Sequence, residues 1–265
     1  METYTCKQLI EICKRHGIKN YSNKKKALII DLIIKSNIST VFTNTRSHDA
    51  KIKHRTEVQS HGFIWESEIL SKRFGIMPGE ISYSNAMDIP EEHNLISSVN
   101  ISIKTTCNPK MICMADAMSL YKHTASNASF NLLVIIYAQI DLGKKIAEIV
   151  EINLQDSHDL LFGKLGIDEL AGLDTLIKKV PQKRSPTTEE HEEIYNMRDK
   201  LQKKCYLQLN VKCNSQQSRL QCSFNKFQEF IAMNPERIIY HSRNNIYHDI
   251  SLTEILGIPP RKFKK

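Results

Sequence analysis

Apolar positions recur at helical spacing in two short stretches near the start of the chain. Leu9, Ile10 and Cys13 mark the first, and Leu28, Ile29, Leu32 and Ile33 mark the second. Gly17 suits the end of the first helix, because glycine tolerates positive φ. Ser22 or Asn23 suits the N-cap of the second. The pattern predicts a two-helix hairpin over residues 1–37. The apolar period then lapses. Residues 38–55 are rich in Ser, Thr, Asn and basic side chains and read as a flexible basic linker.

From Thr56 onward the period switches repeatedly. HGFIWESEILSKRFG predicts a helix closing at Gly75, and SVNISIKTT alternates like a strand. MICMAD reads as a short strand running into a helix over AMSLYKH. FNLLVIIYAQI is apolar throughout, which predicts a central strand buried on both faces. KKIAEIVEINL fits a strand or a short helix. SHDLLFGKLGIDELAGLDTLIKKV is helical in pieces. TTEEHEEIYNMRDKLQKKC is a long helix with Thr187 or Thr188 near its cap, and CYLQLNVKC and RLQCSF are strands. The expected fold class is therefore α/β (α+β): the N-terminal hairpin, then a mixed β-sheet domain flanked by helices over residues 56–265.

Composition narrows the setting. No apolar run reaches the ~18–20 residues that span a bilayer, so no membrane partner is expected. The opening METYTCKQLIEICKRHG lacks the order of a signal peptide, which predicts a protein that is not secreted and stays in a reducing compartment, cytoplasm or nucleus. The seven cysteines include no C-x-x-C pair and read as buried thiols rather than disulfides or a zinc site. Net charge is +8, and residues 1–55 carry all of that excess, with 12 Lys/Arg against 4 Asp/Glu. Such asymmetry points to a module for a polyanion.

The basic residues are placed to suit one. Lys24, Lys25 and Lys26 open the second helix, where free N–H groups and the dipole already favour anions. Lys7, Lys14, Arg15 and Lys19 extend the patch. The run L-x-x-I-C-x-x-x-G-I-x-x-Y-S-x-K-K-K-x-x-L-I resembles a SAP domain, and that resemblance implies binding to double-stranded DNA. A hairpin that docks on an acidic protein is the other reading of the same residues.

Candidate chemistry in the second domain centres on Glu66, Asp88, Asn100, Ser102 and Lys104. Phosphodiester hydrolysis needs carboxylates for Mg²⁺ and a lysine near the attacking water. Asn100, Ser102 and Lys104 alternate along one strand face, opposite Val99, Ile101 and Ile103. Asp116 ends the next strand and serves equally as a helix N-cap. His241, Asn244 and His248 in HSRNNIYHD hint at an HNH-type site or a polar turn, and Trp65 beside Phe63 reads as core.

The layout is similar to type II restriction endonucleases of the PD-(D/E)-x-K kind, in particular to restriction-endonuclease-like proteins of large DNA viruses that carry a SAP module. H-G-F-I-W-E at 61–66, N-I-S-I-K-T-T at 100–106, I-C-M-A-D at 112–116 and K-C-N-S-Q-Q-S-R-L-Q-C-S at 212–223 carry the resemblance. It implies a Mg²⁺-dependent DNA endonuclease, in which Glu66 and Asp88 are metal ligands. Lys104 would be the catalytic lysine that orients and deprotonates water. Asp116 and Gln139 would belong to the metal site or its surroundings. Lys212, Gln217 and Arg219 would face DNA, and a homodimer is a further implication. The sequence departs from the motif at Ser102, where the family has a carboxylate, and at Asn214 and Ser218. A catalytically inactive DNA-binding scaffold is therefore the alternative.

Overall fold

The computed structural model describes residues 6–15, 18–22, 24–35, 60–77, 80–81, 87–140, 143–181 and 183–256. Gly17, Asn23 and the linker expected over 38–55 lie outside them.

In the N-terminal segment, α1 (Cys6–Arg15) packs on α2 (Lys26–Lys35). Leu9, Cys13, Ile29 and Ile33 are buried and form a small core of their own, with Ile10, Ile18, Tyr21 and Ile30 against it. Two details differ from expectation. α2 opens at Lys26, with the Lys25 carbonyl accepting from the N–H groups of Leu28 and Ile29, so Ser22 stands too early to cap it. The Lys24 N–H donates to the Tyr21 carbonyl just before the helix. Leu28 lies on the outer side of α2 and is exposed, which leaves Ile29 and Ile33 to make the seam.

The larger unit begins with α3 (Ser60–Arg73) and continues through β1 (Asn100–Thr106), β2 (Ile112–Asp116), α4 (Ala117–Ala125), β3 (Phe130–Ile140) and β4 (Gly143–Asn153). Next come α5 (His158–Phe162), α6 (Ile167–Lys179), α7 (Thr188–Gln202), β5 (Gln208–Asn214), β6 (Gln217–Phe224) and α8 (Phe227–Met233). Four short strands follow: β7 (Ile238–Ser242), β8 (Ile246–Tyr247), β9 (Ile250–Ser251) and β10 (Ile255–Leu256). The chain is a mixed α/β protein. Its main sheet runs β1-β3-β4-β10, with β7 also paired to β4. β1 and β3 are parallel, whereas β3–β4 and β4–β7 are antiparallel. The parallel pair needs a crossover, which β2 and α4 supply. β2 leaves the main sheet and joins β6 and β5 in a second, antiparallel sheet. The one mixed sheet expected from the strand order is therefore two sheets and a small β8–β9 ribbon. The segment KKIAEIVEINL, open between strand and helix, is strand β4.

β3 is covered on both sides, as its apolar run requires. Leu132, Val134 and Ile136 face a core shared with α4, α6 and the second sheet. Leu133, Ile135 and Tyr137 face Trp65 and Ile69 of α3. The Trp65 indole N–H donates to the Thr253 carbonyl at 2.9 Å, satisfying its polar edge inside that core. α3 ends as expected near Gly75, which adopts φ +68, and the Ile76 N–H folds back to the Leu70 carbonyl. Thr187 caps α7 in a reciprocal pair with Glu190.

No helix among the described residues is long and apolar enough to cross a membrane. All seven cysteines are free thiols. Cys13, Cys205 and Cys222 are buried, but Cys6, Cys107 and Cys113 are exposed, against the expectation that all lie inside.

Candidate functional site

The site forms at an edge of the main sheet. β1 pairs with β3 on one side, and on the other, among the described residues, it meets the single antiparallel bridge between Ile89 and Ile101. Pro90 follows that bridge and has no N–H with which to extend a ladder. The edge N–H of Ile103 is left for a side chain, and Asp88 takes it: Asp88 Oδ2 accepts from Ile103 N at 2.6 Å. The same oxygen accepts from Ser102 Oγ at 3.1 Å and from Lys104 Nζ at 3.1 Å. Lys104 Nζ also donates to the Ile103 carbonyl at 3.0 Å, which fixes its long side chain along the edge.

Glu66 enters from α3. Gly62, one turn earlier, lets the helix approach β1, because a Cβ there would stand 3.1 Å from Thr105 Oγ1. Glu66 sits half-buried beside Asp88 and Lys104. Its carboxyl is pushed up to about 7, first by burial and then by the Asp88 charge, with Lys104 pulling the other way. Burial, with a second carboxylate alongside, thus keeps Glu66 protonated to higher pH than a free acid. Neither Glu66 oxygen nor Asp88 Oδ1 accepts a hydrogen bond among the described residues, so oxygen ligands remain open on both groups.

No group of three His, Cys, Asp or Glu side chains that could hold a metal converges among the described residues. A cation here would have two protein carboxylates, Glu66 and Asp88. That donor set fits Mg²⁺, which prefers hard oxygen ligands and usually keeps several waters or phosphate oxygens alongside one or two carboxylates. It does not fit a soft metal.

The remaining candidates are dispersed. Ser102 is buried and spent on Asp88. Asn100 is a structural clip: its Oδ1 accepts from the Glu91 N–H, and its Nδ2 donates to Glu91 and to the Ser129 carbonyl. Both faces of β1 are thus buried in its first half, including the polar face that the alternation of Asn100 and Ser102 marked. Asp116 caps α4 by accepting from the Ser119 N–H at 2.9 Å and from its hydroxyl, and Lys178 of α6 is its charged neighbour. No contact among the described residues joins Asp116 to Asp88. Gln139 lies on the exposed end of β3 and donates to the carbonyls of Ile140 and Gly143, where it ties the β3–β4 turn. His241 pairs with Glu148 at 2.7 Å and His248 stands 3.5 Å from Glu151, while Asn244 holds the turn between them. The three do not converge.

Two buried polar features went unread in the sequence. Lys144 lies inside, 5.0 Å from the Tyr137 ring centre, and burial pulls its ammonium down to about 8. Glu151 is buried and bonded to Asn131 and to the Tyr247 hydroxyl, both at 2.8 Å. Their partners come from separate strands, so no local motif announces them.

In the hairpin, Lys14, Lys19, Lys24 and Lys25 are exposed and Lys26 is half-buried; the side chains of Lys7 and Arg15 lie outside the described residues. Lys212 and Arg219 are exposed directly opposite each other on β5 and β6, with Gln217 near the turn. Comparison with protein-family models, curated proteins and solved structures found no match to this chain.

Proposed function

We propose that this chain is a Mg²⁺-dependent endonuclease of duplex DNA, built on a restriction-endonuclease-like domain and tethered to its substrate by a SAP-type hairpin. The observation that carries the reading is the convergence of Glu66, Asp88 and Lys104, from a helix, a bridge and a strand, at one half-exposed edge of β1.

Glu66 and Asp88 would hold a cation through their open oxygens, and bound there it would supply charge stabilisation at the scissile phosphate. Lys104 Nζ, restrained by Asp88 and the Ile103 carbonyl, orients the attacking water and donates toward the charge that grows on the phosphate oxygens. Ser102 and the Ile103 N–H anchor the other Asp88 oxygen, so that carboxylate is positioned before any ligand arrives. The exposed lysines of the hairpin bind phosphates without reading sequence and raise the local concentration of the domain on DNA.

One observation favours the alternative of a DNA-binding scaffold without catalysis. Ser102 and Lys104 both donate to the same Asp88 oxygen, and that arrangement is complete without a metal. A plasmid-cleavage assay separates the two. The nuclease nicks or linearises supercoiled DNA in Mg²⁺ and loses this in Lys104→Ala while DNA binding persists. Binding without cleavage in Mg²⁺ or Mn²⁺ supports the scaffold.

A further inference from the structure

The segment that follows β9 grips α3 through one residue. Thr253 donates its N–H to Glu68 Oε2 at 2.8 Å and its hydroxyl to Glu68 Oε1, and its carbonyl accepts from the Trp65 indole N–H at 2.9 Å. All three polar groups of Thr253 are thus spent on two side chains of one helix. Lys72, one turn beyond Glu68, donates to Glu68 Oε1 at 2.9 Å and to the Ser251 carbonyl at 3.2 Å. Arg73 bonds Asp249 at the end of the helix. The gripping segment is itself anchored, since Leu252 is buried and Ile255 pairs with Lys144 of β4.

Glu68 is buried, and a buried carboxylate is costly unless its oxygens are filled. A peptide N–H, a hydroxyl and an ammonium fill them here, which ties Glu68 to one place beside Thr253. Trp65 and Glu68 are three apart and share a side of α3. Glu66 stands between them in the chain and turns to Asp88 and Lys104 instead. At the other end of the helix, Gly62 lies against Thr105, but with no side chain it sets the distance to β1 and not the angle.

We propose that Glu68 and Thr253 are positioning residues: together they fix the angle of α3 about its own axis and so aim the Glu66 carboxylate at the cation site shared with Asp88. The inference rests on the nuclease reading for the cation. Small rolls matter. A roll of about 20° moves a carboxyl that lies about 5–6 Å from the helix axis by about 2 Å. A misplacement of about 1 Å is enough to cost a reaction about 100-fold.

The test compares Glu68→Ala with Glu68→Gln in the full chain. One readout is NMR titration of the Glu66 carboxyl in EDTA, its signal assigned with Glu66→Gln; the other is calorimetric Mg²⁺ binding. Wild type titrates at about 7. In Glu68→Ala the titration falls toward the ordinary 4.5, because the rolled helix takes Glu66 out of its buried place beside Asp88. Mg²⁺ binding weakens by about 10- to 100-fold. Glu68→Gln keeps the shape without the charge and retains the wild-type titration; a fall equal to that of alanine marks a charge effect and overturns the proposal. Should the alanine protein not fold, Thr253→Val removes one bond from the other side and moves Glu66 the same way, while Thr253→Ser restores it. A Glu66 titration left unmoved in a folded Glu68→Ala or Thr253→Val protein overturns the proposal, as does a wild type that titrates near 4.5. The expected shifts in a protein that binds no Mg²⁺ and cuts no DNA support the grip and count against the nuclease. Mg²⁺-dependent cutting with an unmoved titration does the reverse.

Discussion

Replacing Glu66 by glutamine separates function from stability in opposite directions. The glutamine keeps the shape of the side chain and removes its charge. In the metal-free fold the Glu66 carboxyl is raised from 4.5 to about 7, chiefly by burial and then by Asp88. An acid whose pKa is higher folded than unfolded contributes stability that is fully present below about pH 4.5. That contribution is lost as the pH rises through about 7. At pH 8 the ionised Glu66 therefore costs the fold at most about 3 kcal/mol, from about 1.36 kcal/mol per pH unit. Partial solvent exposure reduces this to about 1–2 kcal/mol. In EDTA at pH 8, Glu66→Gln should raise the unfolding midpoint by about 2–8 °C for a chain of this size. At pH 5 the gain should shrink to well under half. Mg²⁺ should stabilise wild type and not the variant, because only wild type offers the second carboxylate. The assay is thermal unfolding followed by circular dichroism at the two pH values, with and without Mg²⁺. A variant less stable than wild type at pH 8, or a gain equal at both pH values, would refute the burial of an ionisable Glu66 at this edge.

Three further outcomes follow from the same geometry. Ser102→Asp puts a third carboxylate on the site. It should lower metal-free stability and tighten Mg²⁺ binding by calorimetric titration, whereas unchanged Mg²⁺ affinity would count against a cation at Asp88. Asp116→Asn should leave plasmid cleavage intact, and Asp116→Ala should cost about 1 kcal/mol of stability through the lost α4 cap; loss of cleavage in the asparagine variant would restore Asp116 to the metal site. Charge reversal at Lys24 and Lys25 should weaken duplex binding and flatten its salt dependence, measured by fluorescence anisotropy across a salt series, because each phosphate contact adds about 0.9 to the slope; an unchanged slope would detach the hairpin from DNA.

The elements were legible where one strong period ran alone. β3 is apolar at nearly every position because cores lie on both its faces, and α3, α4 and α7 carried their own stop or cap residues in Gly75, Asp116 and Thr187. The division into two sheets was not legible. It depends on β2 leaving the edge of β1 to pair with β6, about a hundred residues later in the chain, and no local pattern encodes that choice. At the site, residue types and spacing brought out Asp88 and Lys104, and the structure joins them directly. Asn100, Asp116 and Gln139 share the same polar character, yet each is taken up by a nearby backbone or turn. A sequence shows which side chains are able to do chemistry; it does not show which of them the local backbone has already claimed. The same reason explains Lys144 and Glu151, whose burial is decided by partners on distant strands.

The central claim is tested most directly by nicking of supercoiled plasmid in Mg²⁺, comparing wild type with Asp88→Asn purified in parallel. Cutting that requires Mg²⁺, and that disappears in Asp88→Asn while the variant stays folded and bound to DNA, is the predicted result. Equal cutting by both proteins, or by neither, would contradict an endonuclease centred on Asp88.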